Sequence, residues 1–202
     1  MTTKSLLHSS LLDNLYYNSM LVGNEGYEPS DEDILAETIL ASSQTSVTFS
    51  SLDTLAAGYQ DLQIRATMRS TRGDTDSYVY TRFNGDETNG NYDWHGISGN
   101  GTTIVSERYG VSRPYGIVDI NGTPGANAPS GSFGILITDI LNPFDATKKT
   151  TVKMLSGQAG TYNRVGFNGG LWLSTAAVTS ISFVDVFGQL AAGTRITLIG
   201  LK

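Results

Sequence analysis

The sequence predicts an all-β protein: a two-sheet sandwich of jelly-roll or Greek-key type, preceded by a short N-terminal helical or extended arm. Three observations lead there. In Leu62-Gln63-Ile64-Arg65-Ala66-Thr67-Met68-Arg69 every even position is apolar or small and every odd one polar, a period of two that buries one face of a strand and wets the other. Turn pairs such as Asn84-Gly85, Asn89-Gly90 and Asn100-Gly101 punctuate the chain at short intervals, as hairpin connections do. Charged residues are only 16% of the chain while glycine contributes 23 of 202 residues, a balance suited to many turns and threonine-rich outward strand faces.

Residues 1–30 read as an arm and 31–202 as the β-sandwich domain. Leu7, Leu11 and Leu15 fall at i, i+4 and i+8 with Leu12 and Tyr16 beside them, which places one apolar stripe on a short helix ending before Gly23. Two readings are open: the stripe packs on its own sandwich, or it anchors the chain to another subunit or partner. Ser30-Asp31-Glu32-Asp33 then stacks acids before an apolar run, a helix cap or a solvated bend.

Strands are expected near 34–40, 45–50, 62–70, 77–84, 103–109, 115–120, 133–141, 150–156, 164–173, 178–184 and 194–201. The run Phe133 to Leu141 is apolar on both faces, so it belongs at the centre of a sheet with its second face covered by another sheet, a loop or a subunit. Ser174-Thr175-Ala176-Ala177 reads as a tight connection between antiparallel strands. Asn121 to Ser132, rich in Gly, Pro, Ala and Asn, reads as a long surface loop, open to motion until something covers it.

Several functions are disfavoured by composition. The net charge is −6 and Lys148-Lys149 is the nearest approach to a basic run, so a phosphate-tracking groove for nucleic acid is not expected. Cysteine is absent, which removes disulfides, thiolate catalysis and cysteine zinc sites together. Leu pairs near the start are broken by His8, Ser9, Ser10, Asp13 and Asn14, unlike a signal peptide, and no membrane insertion is expected. Asn100-Gly101-Thr102 and Asn121-Gly122-Thr123 fit the glycosylation pattern but read as turns.

Catalytic chemistry is not legible. Histidine occurs at His8 and His95 only, and no Gly-x-Ser-x-Gly elbow is present to hold a serine nucleophile. Acid pairs at Asp74/Asp76 and Asp86/Glu87 lie beside glycines, where hairpin turns carry acids anyway. Asn84 to Asn89 departs from a full calcium-loop pattern. No cofactor, metal or catalytic residue is therefore expected. The densest aromatic and polar cluster is Tyr92, Asp93, Trp94 and His95. Exposed, it is a sugar platform; buried, it plugs the end of the sandwich.

The segments SVTFSSL (46–52), DLQIRATMRSTR (61–72), RFNGDETNGNYDWHGISGNG (82–101), ITDILN (137–142), GLWLSTAAVTSISF (170–183) and GTRITLIGLK (193–202) resemble small bacteriophage virion proteins with a jelly-roll-like domain. LLDNLYYNSMLVGNEGY (11–27) is similar to the segment preceding that domain in tail-associated members. The resemblance implies a non-enzymatic component of the particle exterior, in the tail or its fibres, assembled in the host cytoplasm and contacting other virion proteins as a homo-oligomer, with a trimer as the first expectation. A capsid cement or decoration protein is the alternative on the same fold, and a host-glycan adhesin, resting on Tyr92, Trp94 and His95, a further one.

Overall fold

Alternation is obeyed strand by strand: Leu62, Ile64, Ala66 and Met68 all point inward and are buried, while the residues between them face out. The computed structural model describes residues 32–109, 116–119, 122–160 and 163–202. Their elements, in chain order, are β1 (Glu32–Ile39), β2 (Ser46–Ser50), a single helical turn α1 (Leu52–Leu55), β3 (Asp61–Met68), β4 (Asp76–Ser77), β5 (Val79–Phe83), β6 (Tyr92–Gly99), β7 (Ile104–Tyr109), β8 (Ile117–Val118), β9 (Thr123–Pro124), β10 (Gly134–Leu141), β11 (Thr151–Gln158), β12 (Arg164–Trp172), β13 (Ser180–Asp185) and β14 (Arg195–Leu201). The expected anchor residues Leu7, Leu11, Leu12, Leu15 and Tyr16 lie outside the described residues.

An eight-stranded sheet in the order β1-β14-β3-β10-β11-β12-β6-β7 is layered with a four-stranded one, β2-β13-β5-β8, and β4-β9 forms a short ribbon. Every pairing is antiparallel. Between the layers lie Leu62, Ile64, Leu136, Ile140, Val152, Met154, Trp172, Ile196 and Leu198 from the large sheet and Val47, Phe49, Phe83, Ile181 and Phe183 from the small one. The Phe83 and Trp172 rings meet at 5.6 Å across the interface. At such spacing a large side chain on one sheet must face a gap on the other. Gly170 provides one, since a Cβ there would stand 2.8 Å from the Ile117 side chain.

Three expectations are corrected. No strand was expected over Tyr92–Gly99, yet β6 pairs with both β12 and β7, because Gly96 and Ser98 serve as small inward residues after Tyr92 and Trp94. Ser174–Ala177 does not join neighbouring strands: β12 is in the large sheet and β13 in the small one, so this connection crosses the sandwich. The stretch 122–132 contains β9, and Gly122, Thr123, Pro124, Gly125 and Ala128 are buried, as a free loop would not be. Its neighbour β10 carries Gly134 where a Cβ would lie 1.6 Å from the Gly122 carbonyl oxygen, a backbone approach only glycine permits. β10 is central as expected, with Ile135 and Leu141 on its outward side exposed among the described residues.

Candidate functional site

The Tyr92 to His95 cluster is split by the pleat of β6. Tyr92 and Trp94 are 2% and 6% exposed and face the core, while Asp93 and His95 are on the outer side. The aromatic platform that sugar binding requires is thus turned away from solvent. The Tyr92 hydroxyl donates to the Asp86 carbonyl at 3.1 Å and accepts from the Phe83 amide at 3.1 Å, which ties the β5–β6 turn to the core.

The turn acids are clamps. Asp86 accepts from the Trp172 indole at 2.7 Å, the Asn91 amide at 2.8 Å and the Thr88 backbone at 2.8 Å. Partial burial works to raise its carboxyl, but these three donors outweigh burial and hold it at about 2. Glu87 is paired with Arg82. Asp74 accepts from the Thr75 amide at 2.8 Å and pairs with Arg72 at 3.2 Å. Asp145 takes the Thr147 hydroxyl and amide and the Lys148 ammonium, which keep it at about 2. Asn100 does the same for its own turn, receiving the Thr102 and Thr103 amides at 3.1 and 2.9 Å. Among the described residues no group of three His, Asp or Glu side chains gathers to hold a metal ion, and no helix is long and apolar enough to cross a membrane.

Two polar arrangements escaped sequence reasoning. Asp119 and Asp185 are both buried. Asp185 accepts from Ser70, from Ser77 at 3.1 Å and from the amides of Phe187 and Gly188 at 3.1 and 3.0 Å. Asp119 accepts from Thr123 at 2.6 Å and the Val79 amide at 3.1 Å. Burial, reinforced by Asp185, lifts the Asp119 carboxyl to about 7 against the pull of the Thr123 bond. The second arrangement is Arg69, whose guanidinium donates to the carbonyls of Pro129, Ser132, Ala128 and Ala126 at 2.8, 2.8, 2.9 and 3.2 Å. That one cation organises the Gly/Pro-rich segment. An acid directly after an apolar run (Val118-Asp119, Val184-Asp185) was the available signal for the first. The second had none, because its acceptors are backbone.

The surface with the strongest functional character is the outer side of the eight-stranded sheet. Strand register lines up Ile97, Phe167, Leu155 and Ile137 as adjacent cross-strand partners on β6, β12, β11 and β10. The next row carries Ile104, Gly99, Val165, Gly157 and Ile135. Ile97, Ile104, Ile135, Leu155, Val165 and Phe167 are between 41% and 81% exposed. Gly99 lacks a side chain between Ile104 and Val165, leaving a shallow hollow rimmed by Ile97, Ile104, Val165 and Phe167. Isolated surface apolar residues are ordinary, but these lie contiguous across β7, β6, β12, β11 and β10. Beyond Ile137 the same row continues through Arg65, Thr197 and Glu37. Around the band, charges are paired within the face: Arg65 with Glu32 at 2.5 Å, Arg195 with Glu37 at 2.6 Å, Lys153 with Asp139 at 2.5 Å, and Arg108 with Asp93 at 3.5 Å. Arg195 holds the Glu37 carboxyl below its usual range. Burial opposes the same effect at Asp139, where Lys153 and Gln63 prevail.

No protein-family model matches the chain, and no curated protein matches it. Among solved structures, a protein of unknown function from Shewanella oneidensis MR-1 is similar over 99% of this chain and 97% of its own, at 11% identity and a TM-score of 0.27. A likeness at that score transfers nothing to this chain.

Proposed function

We propose that this protein is a non-enzymatic structural component of a bacteriophage particle exterior, associated with the tail or its fibres, whose work is adhesion between protein surfaces. The observation that carries the assembly role is the contiguous apolar band on the outer side of the large sheet. Unsatisfied apolar area on an otherwise finished sandwich favours a partner. The setting comes from the sequence resemblance, which spans both sheets. Engagement of Asp86, Glu87 and Asp145 in turn clamps also supports a scaffold over a hydrolase. Glycan adhesion loses its motivation, because Tyr92 and Trp94 face the core.

In this reading residues 5–22 dock the chain to a neighbouring virion protein. Deleting residues 1–30 is expected to leave a soluble sandwich that no longer joins particles, measured by co-sedimentation with virions. Normal incorporation of the truncated chain overturns the anchor. Labelled protein located on intact particles by electron microscopy tests the rest: label on the tail supports the reading, label over the head in hundreds of copies replaces it with capsid decoration, and no label on any particle defeats both.

A further inference from the structure

We propose that the outer face of the eight-stranded sheet is a contact between copies of this chain, the apolar band of one copy being covered by the band of the next. This deepens the assembly reading above by naming the surface and its occupant.

Charge is the first reason to choose a second copy. The chain carries a net −6, which disfavours close approach of two copies at an arbitrary surface. On this face, however, Glu32, Glu37, Asp93 and Asp139 are each matched by Arg65, Arg195, Arg108 and Lys153. The patch is neutral, so an identical patch meets no repulsion, and it offers no unbalanced charge to recruit a partner of opposite sign.

Self-complementarity is the second. A two-fold contact brings each residue of one copy to its counterpart's neighbour, so the surface must fit its own reversed image. The row Ile97, Phe167, Leu155, Ile137 is apolar read in either direction, and inverting it sets Phe167 against Leu155 and Ile97 against Ile137. Sheets stacked in this way pack about 10 Å apart with interdigitating side chains.

Area is the third. Eight strands span seven inter-strand spacings, about 34 Å at ~4.8 Å each, and seven residues of strand run about 23 Å. The whole outer face, the apolar band together with the paired charges around it, therefore measures on the order of 800 Å², which reaches the ~800 Å² per partner of a specific stable interface only if the flanking charged strands join the contact.

The experiment uses the full chain in analytical ultracentrifugation at concentrations up to about 100 µM, since interfaces of this area bind anywhere from micromolar to picomolar. The expected result is a closed homo-oligomer. Ile97→Asp/Leu155→Asp, two exposed positions, is expected to shift it to monomer with an unchanged circular dichroism spectrum, whereas Leu7→Asp/Leu11→Asp leaves self-association in place. A wild-type monomer throughout the range, or loss of association only in the Leu7→Asp/Leu11→Asp chain, overturns the proposal. Should the double aspartate variant misfold, the absence of native cysteine supplies a second route. Leu155→Cys is expected to give a covalent dimer with a short bismaleimide linker while the exposed Lys149→Cys does not; equal yields at both positions overturn the proposal. Self-association through this face with no incorporation into particles would sink the virion reading and leave this inference standing.

Discussion

The outward sides of the two sheets are built from opposite chemistry. On the small sheet β2 shows Ser46, Thr48 and Ser50, and β13 answers with Val184, Ser182 and Ser180 in register, with the Thr48 and Ser182 hydroxyls 2.9 Å apart. On the large sheet the equivalent cross-strand positions are Ile97, Phe167, Leu155 and Ile137. Both layers share one core and both obey the same alternation, so burial within the sandwich does not account for the difference. Serine and threonine hydroxyls finish a strand surface by hydrogen-bonding to water and to one another; exposed isoleucine and phenylalanine have no such bonds to make. The contrast is what the proposed contact between copies rests on.

The largest effect that would test this contrast lies in the layer the two faces share. Trp172→Ala removes the ring packed on Phe83 and the indole bond to Asp86, and is expected to cost about 3–5 kcal/mol in chemical denaturation. A loss below 1 kcal/mol would mean that the inward assignment of β12 is wrong. Next comes pH. Because the folded Asp119 pKa of about 7 lies above the ordinary ~3.9, the native state holds the proton more tightly than the unfolded one. Its contribution is full below pH ~4 and is lost as pH rises through ~7, a change of a few kcal/mol. Asp119→Asn should flatten that part of the urea-midpoint profile, leaving the smaller contribution of Asp76, whose carboxyl burial also raises. Stability rising from pH 4 to 7 in the wild type would contradict the burial described.

Smaller changes sharpen the comparison. Arg69→Ala strips four backbone acceptors of their shared donor and should cost about 1–3 kcal/mol, with faster amide exchange confined to 122–132. Unaltered exchange there would rule out the guanidinium as its organiser. Thr138→Val on the inner side of β10 should be neutral or stabilising by up to about 1 kcal/mol, because its hydroxyl is buried without a hydrogen-bond partner. The smallest effect is expected at the surface. Phe167→Ser should move the unfolding free energy of the monomer by no more than about 0.5 kcal/mol, while Ser182→Val on the opposite sheet should leave the association state untouched.

Strands were legible where apolar residues recur at alternate positions, even through Gly166, Gly169 and Gly170 of β12, which lies within about a residue of its expected bounds. β3 follows the polar and apolar pattern of Leu62 to Met68, and β14 and β10 lie within about a residue of their expected bounds. β6 was missed because Gly96 and Gly99 look like turn residues, whereas in the sheet they pair with Asn168 and Val165 of β12. β8 and β9, two residues each, are too short to carry a period. The apolar band was half visible: the two-sided hydrophobicity of Phe133 to Leu141 gave one strand of it, but its continuation through Leu155, Phe167 and Ile97 depends on register between distant segments. No local pattern in a chain encodes that alignment.

β14 is threaded between β1 and β3, with Thr197 bonded to Glu37 160 positions earlier. During translation the two outer members of this trio emerge long before the middle one. At about 5–20 residues per second, their facing edges wait on the order of ten seconds with ladder groups open. For that interval the nascent chain displays a slot shaped for a β-strand, and any other extended segment in the vicinity competes with β14 to fill it.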